Sequence, residues 1–297
     1  MYESIPHARS KPVGPGLKAC IACGLVSQFS AFAILRAHTV TPVCDSTILL
    51  HAELVKMLVS LAFAFRTDIM RQLSDALVPF SCFCAMNLLS FWCLRHVHIA
   101  LYVLIMQFKL GWTAFFSWML MGTQYSRTHV CALVVIGLCV SSLSVRHHTR
   151  QGDDPSNYLL AVCGLIAETA LSGFATSFTQ YSFNADINTL WVRNTQLAML
   201  SICAYAPLSV YRECSLMPTG ASLLLSGLSA LGGILVALNI LYVGAVYKTI
   251  STSASIALTI LLEGQLFRGH VTVDTLLTSA AIIAMCMLYA WLPTTHV

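Results

Sequence analysis

QYSRTHV, residues 124–130, returns 141 residues later as QLFRGHV, residues 265–271, with Gln, Arg, His and Val at identical spacing. Each copy follows an isolated lysine, Lys109 or Lys248, by about 15 residues. Outward from the two copies, apolar runs broken by polar residues predict ten membrane spans, at 17–37, 46–65, 77–95, 98–121, 129–146, 157–180, 189–211, 222–243, 247–267 and 271–292. Each copy then falls between the fourth and fifth span of a group of five. Because five is odd, the second group enters the membrane from the opposite side, so the pattern predicts an all-α, polytopic protein built as a five-plus-five inverted repeat. Two halves of opposite topology can exchange conformations around one central site, which is the architecture of a carrier.

Composition agrees. Hydrophobic residues make up 57% of the 297 and charged residues 9%, against about 25% charged in an ordinary soluble domain. Most of this chain belongs in lipid. The expected organisation is a polar N-terminal tail (1–16), a first repeat (17–146), a connector (147–156), a second repeat (157–292) and a short tail (293–297). The N-terminal tail lacks the apolar core and cleavage site of a secretory signal. Arg9, Lys11 and Lys18 before or at the start of the first span, against Arg36 after it, favour a cytosolic N-terminus. The net charge of +4 is spread over loops without a basic run, so nucleic acid is not an expected partner. The twelve cysteines fall mostly inside apolar runs and read as small hydrophobes; Cys20 and Cys23 have no second pair or histidine to complete a metal site. No metal and no cofactor are expected.

Four cations stay within the spans, Lys56, Lys109, Arg193 and Lys248, together with Glu53 and Glu168. A charge at the bilayer centre costs about 2.5–3.5 kcal/mol on insertion scales, so each should face a partner or a wet cavity. Glu53 and Lys56, three apart on one helix, can neutralise each other, and Arg193 and Lys248 lie near enough to span ends to snorkel. Lys109 is the hardest to place this way, because its run carries no other charge from Ile99 to Met121; Glu168 is one candidate partner. Two lysines at corresponding places in an inverted repeat would meet near the midplane and suit a phosphate. Asn87, Tyr102, Gln107, Asn194, Gln196, Asn239 and Tyr242 could read the rest of such a ligand or simply join helices. The small residues at 251, 255 and 259 recur every fourth position and allow close helix contact. No catalytic residues are expected: His51 is the histidine most clearly inside a span, and no H-E-x-x-H, G-x-S-x-G or aspartate pair accompanies it.

At these residues the chain resembles the pyrimidine nucleotide-sugar transporters, carriers of CMP-sialic acid, UDP-galactose and UDP-N-acetylglucosamine within the drug/metabolite transporter superfamily. AELVKMLVS (52–60) is similar to the family's Glu-x-x-Lys segment, and ALYVLIMQFKLGWTAFFSWMLMG (100–122) to its Tyr-x-x-x-x-Gln-Leu-Lys helix. SGFATSF (172–178), LWVRNTQL (190–197) and GGILVALNILYVGAVYKTISTSASIALT (232–259) resemble three further signatures in the same order. The resemblance implies both termini in the cytosol, residence in the Golgi or endoplasmic reticulum membrane, and antiport of a nucleotide sugar against the nucleoside monophosphate. By position it gives Lys109 and Lys248 the phosphates, Tyr102 and Asn87 the nucleotide, and Lys56 with Glu53 the sugar side or a gate; Arg193 and Asn194 match an Arg-Asn signature, and Tyr242 and Glu168 stand beside these positions. UDP-galactose or UDP-N-acetylglucosamine is the favoured cargo, with CMP-sialic acid as the third candidate. Three departures touch the site: Met86 stands where the family has Gln, Gln180 lies in a segment lacking its Glu-Lys pair, and Gly244 replaces an Asp. They keep two other readings open, a carrier of another phosphorylated metabolite and a non-transporting regulatory relative. Oligomeric state stays open too, a homodimer included.

Overall fold

Pro15 opens α1 (Pro15–His38) at the first turn, where its missing N–H is no loss because those donors have no intrahelical partner anyway. The computed structural model describes residues 14–39, 45–64, 73–93, 96–97, 102, 105–147, 158–183, 187–211, 217, 219–266, 273–291 and 295–296. The N-terminal tail to residue 13, residues 148–157 and residues 267–271 of the second motif copy lie outside them, as does the side chain of Asn87. After α1 come α2 (Asp45–Phe63), α3 (Leu73–Cys93), α4 (Phe108–Met121), α5 (Arg127–His147), α6 (Tyr158–Ser182), α7 (Ile187–Tyr211), α8 (Gly220–Tyr242), α9 (Ala245–Leu266) and α10 (Val273–Trp291). Among the described residues the protein is thus an all-helical bundle of ten helices.

Local chemistry sets several ends. Thr219 and Ser222 form a reciprocal capping box at the start of α8, Ser222 N–H donating to Thr219 Oγ1 (3.2 Å) and Thr219 N–H to Ser222 Oγ (2.8 Å). α4 stops at Gly122, whose φ of 66° is left-handed and whose N–H donates to the Trp118 carbonyl at 2.9 Å. The span expected to run unbroken from residue 98 is interrupted: Tyr102, Ile105 and Met106 are helical, Gln107 is a turn residue, and α4 begins at Phe108. Its carbonyl is taken by Leu110 N–H, three residues on, which tightens the chain just before Lys109. Two short strands, β1 (Thr123–Gln124) and β2 (Thr295–His296), pair antiparallel, Thr123 opposite His296. The expected C-terminal tail is thereby tied to the α4–α5 connection.

Among the described residues five helices are long and apolar enough to cross a membrane, α1, α2, α6, α8 and α9, and shorter apolar stretches lie in α3, α5 and α10. Leu58, Phe63, Leu138, Leu159 and Leu277 stand exposed on the outside, an apolar surface that a bilayer would cover. The molecule is a membrane protein. Inside, α1 packs on α8 and α9, α2 on α7 and α8, α3 on α6 and α7, α4 on α6 and α9, and α5 and α9 on α10. Lipid tails are as apolar as leucine, so polar and small residues carry much of this specificity. Ser30 of α1 donates to the Ser255 carbonyl of α9, Ser177 of α6 to the Thr113 carbonyl of α4, and Ser226 of α8 to the Ile48 carbonyl of α2, each at 3.1 Å. Gly173 of α6 lies flush against α4; a Cβ there would stand 2.7 to 2.8 Å from the Trp112 and Thr113 backbone and Trp112 Cβ.

Candidate functional site

A cavity of about 320 Å³ lies among α1, α2, α3, α6, α7, α8 and α9. Its size is that of a small-molecule pocket. Polar groups on its wall include Gln28, Glu53, Lys56, Asn194 and Lys248, and phenylalanines 29, 32, 83 and 183 supply apolar surface.

Lys56 and Glu53 occupy one side. Lys56 Nζ sits 2.7 Å from Glu53 Oε1 and 2.6 Å from Oε2, with both side chains mostly buried. This i, i+3 pair answers its own charge, which is the self-neutralising arrangement the spacing allowed. Room for the lysine comes from Gly233 of α8, where a Cβ would stand 3.0 Å from Lys56 Cδ.

Lys248 reaches the wall through an unusual junction. Val243 and Gly244 N–H both donate to the Asn239 carbonyl (2.8 and 2.9 Å), Gly244 takes φ 120°, and α9 begins at once. A non-glycine residue would be strained at that φ. The first α9 donor, Ala245 N–H, finds its acceptor on another helix, Gln180 Oε1 of α6, at 2.6 Å. Two of the positions that depart from the family pattern therefore meet. Gly244 has no side chain to cap α9, and Gln180 caps it from across the bundle. Lys248 follows within that first turn, its N–H on the Gly244 carbonyl at 3.0 Å.

Lys109 is in the first turn of α4, and its charge interacts with both Glu168 of α6 and Lys248 of α9. Glu168 is 3% exposed and accepts from Tyr102 Oη at 3.4 Å. Lys109 and Lys248 thus form a pair of like charges, with the Glu168 carboxylate acting on Lys109. An anion is the natural complement of such a pair.

The remaining candidates divide. Asn194 is 5% exposed and on the cavity wall, and its Nδ2 has no hydrogen-bond acceptor among the described residues. Arg193, 4% exposed, turns instead to Gln196 one turn on, Nη1 to Oε1 at 3.0 Å, and does not snorkel. Tyr242 ends α8, half-buried and away from the cavity wall. Sequence reasoning passed over Gln28 and the Gly232–Gly233 pair. Both left a trace: an amide inside the apolar run LVSQFSAF, and two adjacent glycines in mid-helix, where each costs about 1 kcal/mol in propensity.

A helical bundle with an apolar outer surface and a cavity that carries Lys248 and the Lys56–Glu53 pair on its wall defines an integral membrane protein with a pocket among its helices. The nucleotide-sugar transporter profile matches residues 26–290, and the chain belongs to that family. It is 25% identical over 240 residues to the UDP-galactose/UDP-N-acetylglucosamine transporter srf-3 of Caenorhabditis elegans, covering 76% of this chain and 65% of that one. The UDP-N-acetylglucosamine/UDP-N-acetylgalactosamine transporter nstp-4 of the same organism is 26% identical over 223 residues, 70% of this chain and 66% of its own. The UDP-galactose translocator of Homo sapiens is 24% identical, with coverages of 72% and 56%. The chain thus spans no more than about two thirds of these relatives' length. A solved crystal structure shares the fold, with a TM-score of 0.74 at 15% identity over 93% of this chain and 96% of its own.

Proposed function

We propose that this protein exchanges a UDP-sugar for the nucleoside monophosphate across a Golgi or endoplasmic reticulum membrane by alternating access. The observation that carries the reading is Lys248 of the ninth helix on the cavity wall, with Lys109 of the fourth helix near enough for the two charges to interact. A diphosphate ester supplies the charge and the length to engage such a pair. The relatives named for UDP-galactose and UDP-N-acetylglucosamine support these cargoes ahead of CMP-sialic acid. Binding and conformational exchange suffice, with no covalent step and hence no enzyme.

An inverted repeat is supported by how helix pairs map when five is added to each number. Contacts α1–α9 and α6–α4 exchange, as do α1–α8 with α6–α3, α2–α8 with α7–α3, and α4–α5 with α9–α10. The serine bonds follow the same rule, Ser30 to α9 in one half and Ser177 to α4 in the other.

The test is uptake of radiolabelled UDP-galactose, UDP-N-acetylglucosamine and CMP-sialic acid into proteoliposomes preloaded with UMP, CMP or GMP. Uptake of a UDP-sugar that requires internal UMP is expected. Uptake indifferent to all three nucleotides would assign another phosphorylated metabolite, and none with any pair from folded protein would favour a non-transporting relative.

A further inference from the structure

We propose that Gln28 of α1 touches the substrate: its amide oxygen accepts a hydrogen bond from a hydroxyl or amide N–H of the hexose. Gln28 is 6% exposed and on the cavity wall. Its Nε2 donates to the Leu228 carbonyl of α8 at 2.8 Å. A carbonyl can only accept, so the atom facing it is the amide nitrogen and the other is the oxygen. That oxygen, Oε1, is buried and has no donor among the described residues. A buried acceptor left unmade costs about 1–3 kcal/mol, and a ligand donor arriving from the cavity would remove that cost.

The fold makes space for this amide. A Cβ on Gly232 would stand 2.5 Å from Gln28 Nε2 and 2.6 Å from Oε1, so no other residue fits there without expelling it. The neighbouring Gly233 does the same for Lys56. Successive glycines of α8 thus seat two polar side chains from different helices, Gln28 and Lys56, on one wall. Glu53 already holds the lysine, whereas the glutamine oxygen has no partner among the described residues.

The choice of the hexose rests on the nucleotide-sugar reading. With the phosphates at Lys109 and Lys248, and Tyr102 on the α3–α4 and α6 side through Glu168, the α1–α2–α8 wall is the one left for the group at the other end of the diphosphate. An acceptor there distinguishes sugars by where they carry a hydroxyl or acetamido N–H.

The experiment measures, in proteoliposomes loaded with UMP, the KM for UDP-galactose and UDP-N-acetylglucosamine and the inhibition constant of external UMP, for wild type, Gln28→Leu and Gly232→Ala. Leucine keeps the bulk and removes the acceptor; the alanine methyl pushes the amide out of its seat. Each variant should raise the UDP-hexose KM about tenfold, the loss of roughly one hydrogen bond, with UMP inhibition within about twofold of wild type, since UMP lacks the hexose. Thermal stabilisation by UMP checks that each variant is folded. Equal weakening of UDP-hexose and UMP, or no change in either, overturns the assignment of Gln28. Failure of the wild type to exchange at all sinks the transport reading itself, and with it the hexose.

Discussion

Lys56 and Lys109 are both cations within helices of a membrane protein, yet their surroundings ask for different things. Lys56 is matched by Glu53 at 2.6 Å, so its charge is cancelled before any ligand arrives. Removing either partner should destabilise the protein by about 3–5 kcal/mol, because it strands the other in a mostly buried place. The double variant Glu53→Ala/Lys56→Ala should lose less than the sum of the singles; additive losses in detergent thermal unfolding would show that the pair is not coupled. Lys109 is attracted by Glu168 and repelled by Lys248. Lys109→Ala should therefore leave abundance and unfolding temperature near wild type while exchange falls to background, and wild-type exchange in that variant would refute a phosphate role. These charges were readable in the sequence because an ionised group interrupts an apolar run visibly. Gln28 was not, since a neutral amide is common in helix packing and its unpaired oxygen depends on Leu228, two hundred residues away. Arg193 was legible only in part: its place near a span end left snorkelling open beside a substrate contact, and the sequence displays Gln196 but not that both turn inward.

Helix existence followed from run length, and helix contact from small residues. Ser255, in the 251/255/259 series, does receive Ser30. The interruption at Gln107 was hidden, because Ile105 through Leu110 carries no Gly or Pro to announce it. The α4–α6 contact gives the sharpest element-scale expectation. At Gly173 a methyl group would press on α4 backbone, which cannot rotate away, whereas Gly227 has nothing within 4 Å. Gly173→Ala should lower stability by about 1–3 kcal/mol and spread the two helices, as overpacking does. Gly227→Ala, on exposed helix surface, should be neutral or slightly stabilising through better propensity. Equal unfolding temperatures for the two variants would mean that α4 and α6 are not seated as tightly as their backbones indicate. The same reasoning predicts that Gly244→Ala destabilises through its φ of 120° even though its nearest neighbour, Gln180, is 3.6 Å from the new methyl.

At the scale of the whole molecule the question is which contacts must break for the cavity to face the other side. The wall reaches Lys248 in the first turn of α9 and Phe183 just beyond the end of α6. Fifteen residues further along α9, about 22 Å at 1.5 Å per residue, Glu263 lies 3.8 Å from His38 at the end of α1. Both are substantially exposed, so the ion pair contributes little stability by itself. What it marks is that α1 and α9 converge at the end away from the cavity wall, held at mid-length by Ser30 and Ser255. Under the proposed alternating-access cycle that end would part while the α6–α4 contact closes. Replacing His38 and Glu263 by cysteine and joining them with a short cleavable thiol cross-linker should therefore stop exchange. Cleavage should restore it, and each single cysteine variant treated in the same way should retain activity, which controls for the native cysteines. Exchange that persists with the cross-link confirmed by mass spectrometry would show that α1 and α9 stay together throughout the cycle, and the opening of the cavity would then have to take place elsewhere.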